Sequence, residues 1–252
     1  EDRILIQSVA RVVLSDSKGS LVNQINKRPV LKAPIPQLVP KPYVGPALKN
    51  LIPMQELVSF NGLGGFSRDG KEYIINTDQK NFTPMPWVNV MANAHFGTVV
   101  SESGQAYSWV ENAHEFRLTP WNNDPVSDSA GEIFYLRDEE SGQFWSPTSL
   151  PCRGKSNYVT RHGFGYSTFE HSEEGIQSHM QVYVDTEESV KFTVLRIRNL
   201  SNRTRKLSAT GYVEWVLGDL RSKSAMHILT EVDTKTGALF AKNPYNKEFN
   251  DR

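Results

Sequence analysis

From Phe60 onward the chain falls into short runs rich in Val, Ile, Tyr, Phe and Thr, punctuated at close intervals by Gly, Asn, Ser and acidic residues. That rhythm restricts the fold more than any other feature. Short β-branched and aromatic runs bounded by turn formers read as strands. The runs are EYIIN, WVNVMAN, FGTVVSES, AYSWVEN, EIFYLRD, FWSP, YVTRHGFGYSTFEH, IQSHMQVYVD, VKFTVLRIRN, RKLSATGYVEWVL, HILTEVD and ALFAKN. The links between them, SESGQ, DEESGQ, SEEG, SNRT and DTKTG, are too short to carry a crossover helix, so neighbouring strands pair antiparallel. Met180, Val182 and Val184 alternate with polar residues, as do Val190, Phe192 and Val194. Leu207, Ala209, Gly211, Val213, Trp215 and Leu217 are expected on one further face. Period-two alternation sets one face on a core and leaves the other wet. So many strands in that pattern predict a large antiparallel β-sandwich.

The first 55 residues differ in texture. Ile4, Leu5, Val9, Val12 and Val13 recur near helical spacing, which predicts a helix from the first residue to about residue 27, with SLVNQINK continuing it past Gly19. Seven prolines between Pro29 and Pro53 exclude regular helix or a central strand. That segment reads as an extended linker, either laid over a neighbouring surface or free as a spacer. The expected organisation is therefore 1–55 for helix and linker and 56–252 for the β domain.

Charge and cysteine narrow the partners. The 252 residues carry 28 Lys+Arg against 28 Asp+Glu, and nucleic acid or an anionic membrane surface calls for a basic excess. Neither partner is expected. The single Cys152 permits no disulfide within the chain and fits a reducing compartment. No apolar run approaches the ~20 residues of a membrane-spanning helix, and the first residues lack the basic region and apolar core of a secretory signal.

Few segments carry recognisable chemistry. FNGLGGF, residues 60–66, is either a phosphate-binding turn, which needs a helix after it, or a tight turn requiring positive φ or close backbone approach. His162, His171 and His179 lie near one another but lack the spacing of a metal site, and no metal is expected. Arg161 and His162 in RHGFGY could grip a phosphate or sugar hydroxyls, or brace a sheet edge. The stretch HEFRLTPWNNDPVSDSAGEIFYLRDEESGQFWSP places Trp121 and Trp145 amid amides, carboxylates and guanidinium groups. Flat rings beside paired donors and acceptors suit the C–H faces and hydroxyl rims of sugars. Arg117, Trp121, Asn122, Asn123 and Asp124 have that composition, and so do Arg137, Asp138, Glu139 and Trp145. A hydrogen-bond network bracing the loops, or a contact with another domain, has the same composition. No carboxylate is set apart as a glycosidic acid.

The ordered run of FNGLGGFSRDGKEYIIN, TPMPWVNVMAN, FGTVVSESGQAYSW, FRLTPWNNDPVSD, GEIFYLRDEESGQFWSP, RHGFGYSTFEH, YVEWVLGDLRS and TGALFAKNPYN resembles glycoside hydrolase family 94, the inverting disaccharide and oligosaccharide phosphorylases. Within it the likeness is to the phosphorylase-like region of bacterial cyclic β-1,2-glucan synthases. The resemblance covers roughly residues 56–252. It implies a β-supersandwich like that of galactose mutarotase, packed in the parent chain on an (α/α)6 barrel. The barrel would hold the general acid and most phosphate-binding residues, so no catalytic residue and no cofactor is expected here, with inorganic phosphate as the parent's co-substrate. The resemblance further implies that a loop of the sandwich reaches the acceptor side of a sugar pocket, often that of the partner subunit in a homodimer. By chain order that loop is DLRSKSAMHILTE, with Arg221, Lys223 and His227 as sugar contacts. Trp121, Asn122, Asn123, Arg161 and His162 match patterned family positions, to contact sugar or to brace the barrel interface. The implied location is cytoplasmic; a parent of the synthase type would sit in the bacterial inner membrane with this region on its cytoplasmic side. Two other readings remain at this stage: an autonomous carbohydrate-binding module, and a purely structural dimerisation domain.

Overall fold

A computed structural model describes residues 2–10, 13–25 and 56–249. The chain divides into two units, residues 1–39 and 40–252. The proline-rich linker, and the boundary expected at residue 55, lie outside the described residues.

In the N-terminal unit the single long helix expected over 1–27 is replaced by shorter pieces. Helix α1 spans Asp2–Val9, a 3-10 turn spans Asp16–Lys18, and α2 spans Leu21–Ile25. The interruption has a local cause. Ser15 is extended, and Gly19 sits at φ +88°, outside the helical region. The Gln24 side chain then closes the bend: its oxygen accepts from the Ser15 N–H at 2.9 Å, and its amide donates to the carbonyls of Ser15 and Gly19.

Among the described residues of the second unit every strand pairing is antiparallel. A six-stranded sheet runs β1–β2–β8–β9–β10–β11, built from Gly64–Phe66, Glu72–Thr77, Tyr158–Gly163, Tyr166–Glu173, Ile176–Val184 and Lys191–Asn199. A three-stranded sheet joins β3 (Val88–Ala92), β4 (Phe96–Ser101) and β5 (Ala106–Val110). Another runs β12–β6–β7, from Leu207–Val213, Glu132–Asp138 and Phe144–Trp145. A two-stranded ribbon pairs β13 (Leu229–Val232) with β14 (Leu239–Lys242).

Burial shows how the layers stack. Met91, Val100 and Ala106 from the β3–β5 sheet meet Phe169, Met180 and Val182 from the six-stranded sheet. Leu136 and Trp145 from the β6–β7 pair meet Ile176 of β10. Both three-stranded sheets therefore cover the face of the large sheet that carries Phe169, Met180 and Ile176. The segment 116–119 stitches these two sheets together: Leu118 donates to Ser108, and Val216 donates to Leu118.

Of the two readings of FNGLGGF the tight turn holds: the run leads into edge strand β1 and no helix follows, so the amide fan of a phosphate site does not form. Its glycines serve the turn: Gly62 lies at φ +102°, and a Cβ on Gly64 would sit 2.7 Å from the Ile74 carbonyl. Two other expectations need correction. The run YVTRHGFGYSTFEH is a hairpin, folded back at Gly165 (φ +79°), with Phe164 exposed at the tip. Finally, the face expected from Leu207 to Leu217 breaks at Val213. There the chain leaves the sheet; Val216 and Leu217 become buried, and Leu217 turns at φ +46°.

Candidate functional site

The β4–β5 hairpin organises the main cleft. In its SESGQ turn, Gly104 lies at φ +93° and donates its N–H to the Ser101 carbonyl at 3.0 Å. This turn aims Glu102, Ser103 and Gln105 at two loops that form the walls. Glu102 clamps the wall 83–87, accepting from the Thr83 hydroxyl and from the Trp87 N–H at 2.8 Å. Burial pushes the Glu102 carboxyl above its ordinary range, against those two donors. Asp128 clamps the other wall. Its Oδ2 accepts from the hydroxyls of Ser101, at 2.7 Å, and Ser103. That wall is the 121–129 loop, wound on Asp124, which accepts N–H groups from Val126 and Ser127 and the Ser127 hydroxyl. These donors hold the Asp124 carboxyl below its ordinary range.

Between the walls lies a cleft of about 240 Å³ lined by Trp121, Asn122, Asn123, Gln105, Asp128 and Met85, among others. Trp121 packs on Tyr107 with centroids 4.9 Å apart, and Tyr107 packs in turn near Trp109 at 5.2 Å. A narrower recess of about 90 Å³ continues from it, sharing Met85, Pro86, Pro125 and Asp128 and reaching Glu102.

The loop thus combines bracing with exposure. Asn122 donates to the Ser129 carbonyl at 3.3 Å, while Asn123 is exposed at φ +48°. The second half of the same sequence stretch has a different role. Trp145 is 2 % exposed and belongs to the core. Asp138 is buried against Arg205, which holds its carboxyl low together with backbone N–H groups. Among the described residues Arg137 pairs with Glu139. These residues do not join Trp121.

Arg161 and His162 do not form a pair. Successive residues of a strand point to opposite faces, and β8 separates them that way. Arg161 donates to Glu170 at 2.9 Å and to Glu72 at 3.2 Å on the face away from the core. His162 faces inward: Nε2 donates to the Trp87 carbonyl at 3.0 Å, and Nδ1 accepts from the Ser167 hydroxyl at 2.9 Å. It thereby props the same wall that Glu102 clamps. Burial pushes the imidazole down to about 4.

The segment after β12 forms a second, shallower cleft of about 440 Å³. One helical turn, α3 (Arg221–Ser224), and a 3-10 turn, Ala225–His227, carry the expected residues. Lys223 and His227 line this cleft with Asp219, Glu115 and Tyr245. The His227 and Tyr245 rings lie 4.6 Å apart. Asn243 and Asn246 both donate to the Leu217 carbonyl and fix the opposite rim. Lys223 pairs with Asp219 and draws its carboxyl down. Arg221 is not part of the lining; it pairs with Glu214. Among the described residues no group of three His, Cys, Asp or Glu is placed to hold a metal ion, and no helix is long and apolar enough to cross a membrane.

Residues 71–252 match the family model described as glycosyl hydrolase 94, supersandwich domain. The chain belongs to glycoside hydrolase family 94. It is 40 % identical over 195 residues to the cyclic β-(1,2)-glucan synthase NdvB of Rhizobium meliloti (strain 1021), covering 77 % of this chain and 7 % of that protein. It is 32 % identical over 167 residues to the N,N′-diacetylchitobiose phosphorylase of Vibrio furnissii, covering 65 % of this chain and 20 % of that protein. The solabiose phosphorylase of Paenibacillus borealis is 29 % identical over 159 residues, 62 % of this chain and 20 % of that protein. The chain therefore spans a fifth or less of the length of these relatives.

In this family 94 supersandwich, sequence reasoning passed over Glu102, Gln105 and Asp128. All three are at least nine-tenths buried and polar. The signal was the SESGQ turn itself, which gathers a carboxylate, hydroxyls and an amide at a hairpin end. What the sequence did not show is that the 121–129 loop folds onto that end.

Proposed function

We propose that this supersandwich is an accessory, carbohydrate-contacting domain of a cyclic β-1,2-glucan synthase or β-1,2-glucooligosaccharide phosphorylase. It shapes the acceptor side of a sugar site and packs on a catalytic (α/α)6 barrel of the same parent chain, within a homodimer. Bond cleavage belongs to the barrel, with inorganic phosphate as co-substrate.

The observation that carries this reading is the cleft after β12. It brings Lys223 and His227, from the segment expected at the acceptor edge, together with Tyr245. An ammonium, an imidazole, a phenol and flanking carboxylates supply donors and acceptors in alternation, the pattern that hydroxyl groups require. Such contacts are made to the sugar rather than to the reacting bond, so they act mainly on binding.

The test is made in the parent enzyme carrying Lys223→Ala or His227→Ala. The acceptor KM is expected to rise about tenfold, the loss of one charge-assisted or neutral hydrogen bond, while the KM for phosphate stays unchanged. An unchanged acceptor KM in both variants overturns the acceptor-edge role.

A further inference from the structure

The main cleft contains one feature that its bracing network does not explain. Gln105 is 3 % exposed, and its backbone is fully engaged: its N–H donates to the Ser101 hydroxyl and its carbonyl accepts from the Ser101 N–H. Its side-chain amide has no partner among the described residues, and it lines the cleft. The amide is not fully enclosed, so in the free chain it is open to the water of the cleft, and a ligand that donates to it and accepts from it takes the place of that water. Asp128 presents a matching half: Oδ2 is used by the two serine hydroxyls, while Oδ1 has no partner among the described residues. Two donor hydrogens and two acceptor oxygens thus converge beside the Trp121 ring, which is itself held by Tyr107.

The lining sets the chemical class. It holds Asp124 and Asp128 but no Lys, Arg or His. An anion such as a phosphate or a uronate would meet two carboxylates and no cation. A purely apolar ligand would leave the Gln105 amide unpaired. A neutral group that both donates and accepts, and has one apolar face to lay against an indole, answers every lining group at once. A volume of about 240 Å³ is just below the range of drug-sized pockets and suits one ring rather than an extended chain.

We infer that the cleft bounded by Trp121, Gln105 and Asp128 is a subsite for a single neutral pyranose, stacked on the indole and read through the Gln105 amide. It is separate from the Lys223–His227 cleft and does not depend on the acceptor-edge role; a failure of either leaves the other standing.

The 252-residue chain is titrated with methyl β-glucopyranoside, followed by tryptophan fluorescence and by saturation transfer from protein to ligand protons. Glucose 6-phosphate serves as the charged counterpart. Saturable binding of the neutral glycoside is expected, with the phosphate ester weaker by about tenfold or more. Gln105→Leu, close in volume and without the amide, is expected to weaken the glycoside about tenfold while leaving thermal stability unchanged, because the amide makes no hydrogen bond to the described residues. Trp121→Ala is expected to abolish ring-proton transfer. Binding that survives Gln105→Leu, a preference for the phosphate ester, or an absence of saturable glycoside binding to the folded chain each overturns the inference. So does a Gln105→Leu chain that is markedly less stable yet binds as before, since the amide is then a structural member.

Discussion

His162 sits where β8 meets the wall of the main cleft, and its burial favours the neutral ring. Nε2–H donates to the Trp87 carbonyl, so Nδ1 must accept, and the Ser167 hydroxyl supplies the proton. That hydroxyl also receives the Asn89 amide at 3.2 Å. Adding a proton to Nδ1 would make the Ser167 hydroxyl turn its own proton away from the ring. Burial adds to the penalty, and the ring is pushed down to about 4 from an ordinary 6.5. The linkage follows with a definite sign. Between those values the unfolded chain takes up a proton that the folded chain refuses, so stability is intact above about pH 6.5 and is lost as pH falls toward 4. The full span corresponds to about 3 kcal/mol at 1.36 kcal/mol per unit. Glu102 works the other way, because burial raises its carboxyl, so the wild-type curve alone mixes the two. The difference between wild type and His162→Gln isolates the ring. Urea unfolding at pH 7 should show the variant about 1 kcal/mol weaker from lost hydrogen bonding. That deficit should shrink and then reverse by pH 4.5. A difference that is constant with pH would show that the ring titrates alike in the folded and unfolded chain, so that burial does not hold it neutral.

At the level of strands, glycine positions separate packing from propensity. Gly97 of β4 is paired with Trp109 of β5, and a Cβ there would meet the indole Cζ2 at 2.1 Å. The indole has little room to retreat, since Tyr107 lies 5.2 Å from it on the same strand and Trp121 lies beyond. Gly211 of β12 faces Phe134 with its nearest ring atom at 3.4 Å, an ordinary contact. Both glycines lie within strands, where alanine loses less chain entropy on folding. Gly97→Ala is therefore expected to cost about 1–3 kcal/mol as an overpacking defect. Gly211→Ala is expected to be neutral or stabilising by up to about 1 kcal/mol. Thermal unfolding of the two variants checks the contrast. Near-UV circular dichroism should change for Gly97→Ala alone, because only that substitution displaces an indole.

Across the whole chain, what was legible and what was not divides by range. Strand existence was legible because alternation and turn chemistry are local: Met180 and Val182 in β10 are buried as their period demands. Antiparallel pairing followed from the short links, whereas the supersandwich was implied by the family resemblance. Features set by distant partners were not legible. Nothing local shows that Trp145 is a core residue beneath Leu136 and Ile176, or that β8 turns Arg161 and His162 to opposite faces. The Trp121 loop was marked by composition, yet its role depends on the hairpin end it folds against. The same distinction governs stability. Strands β9 and β10 lie inside the six-stranded sheet, paired on both sides, with Phe169, Met180 and Ile176 buried. Among the described residues the β13–β14 ribbon has neither support: it pairs with itself, and Leu229, Val232, Leu239 and Phe240 are between 49 % and 75 % exposed. A two-stranded ribbon without a covered face is marginal in water, whereas central strands open only with the whole fold, at about 5–15 kcal/mol. Amide hydrogen exchange followed by mass spectrometry should therefore show residues 229–242 exchanging about a thousandfold or more faster than residues 167–183. In the parent enzyme the ribbon should gain protection if the proposed catalytic domain covers those four side chains. Equal, slow exchange of ribbon and central sheet in this chain would mean that the ribbon is held by contacts the fold described here does not contain.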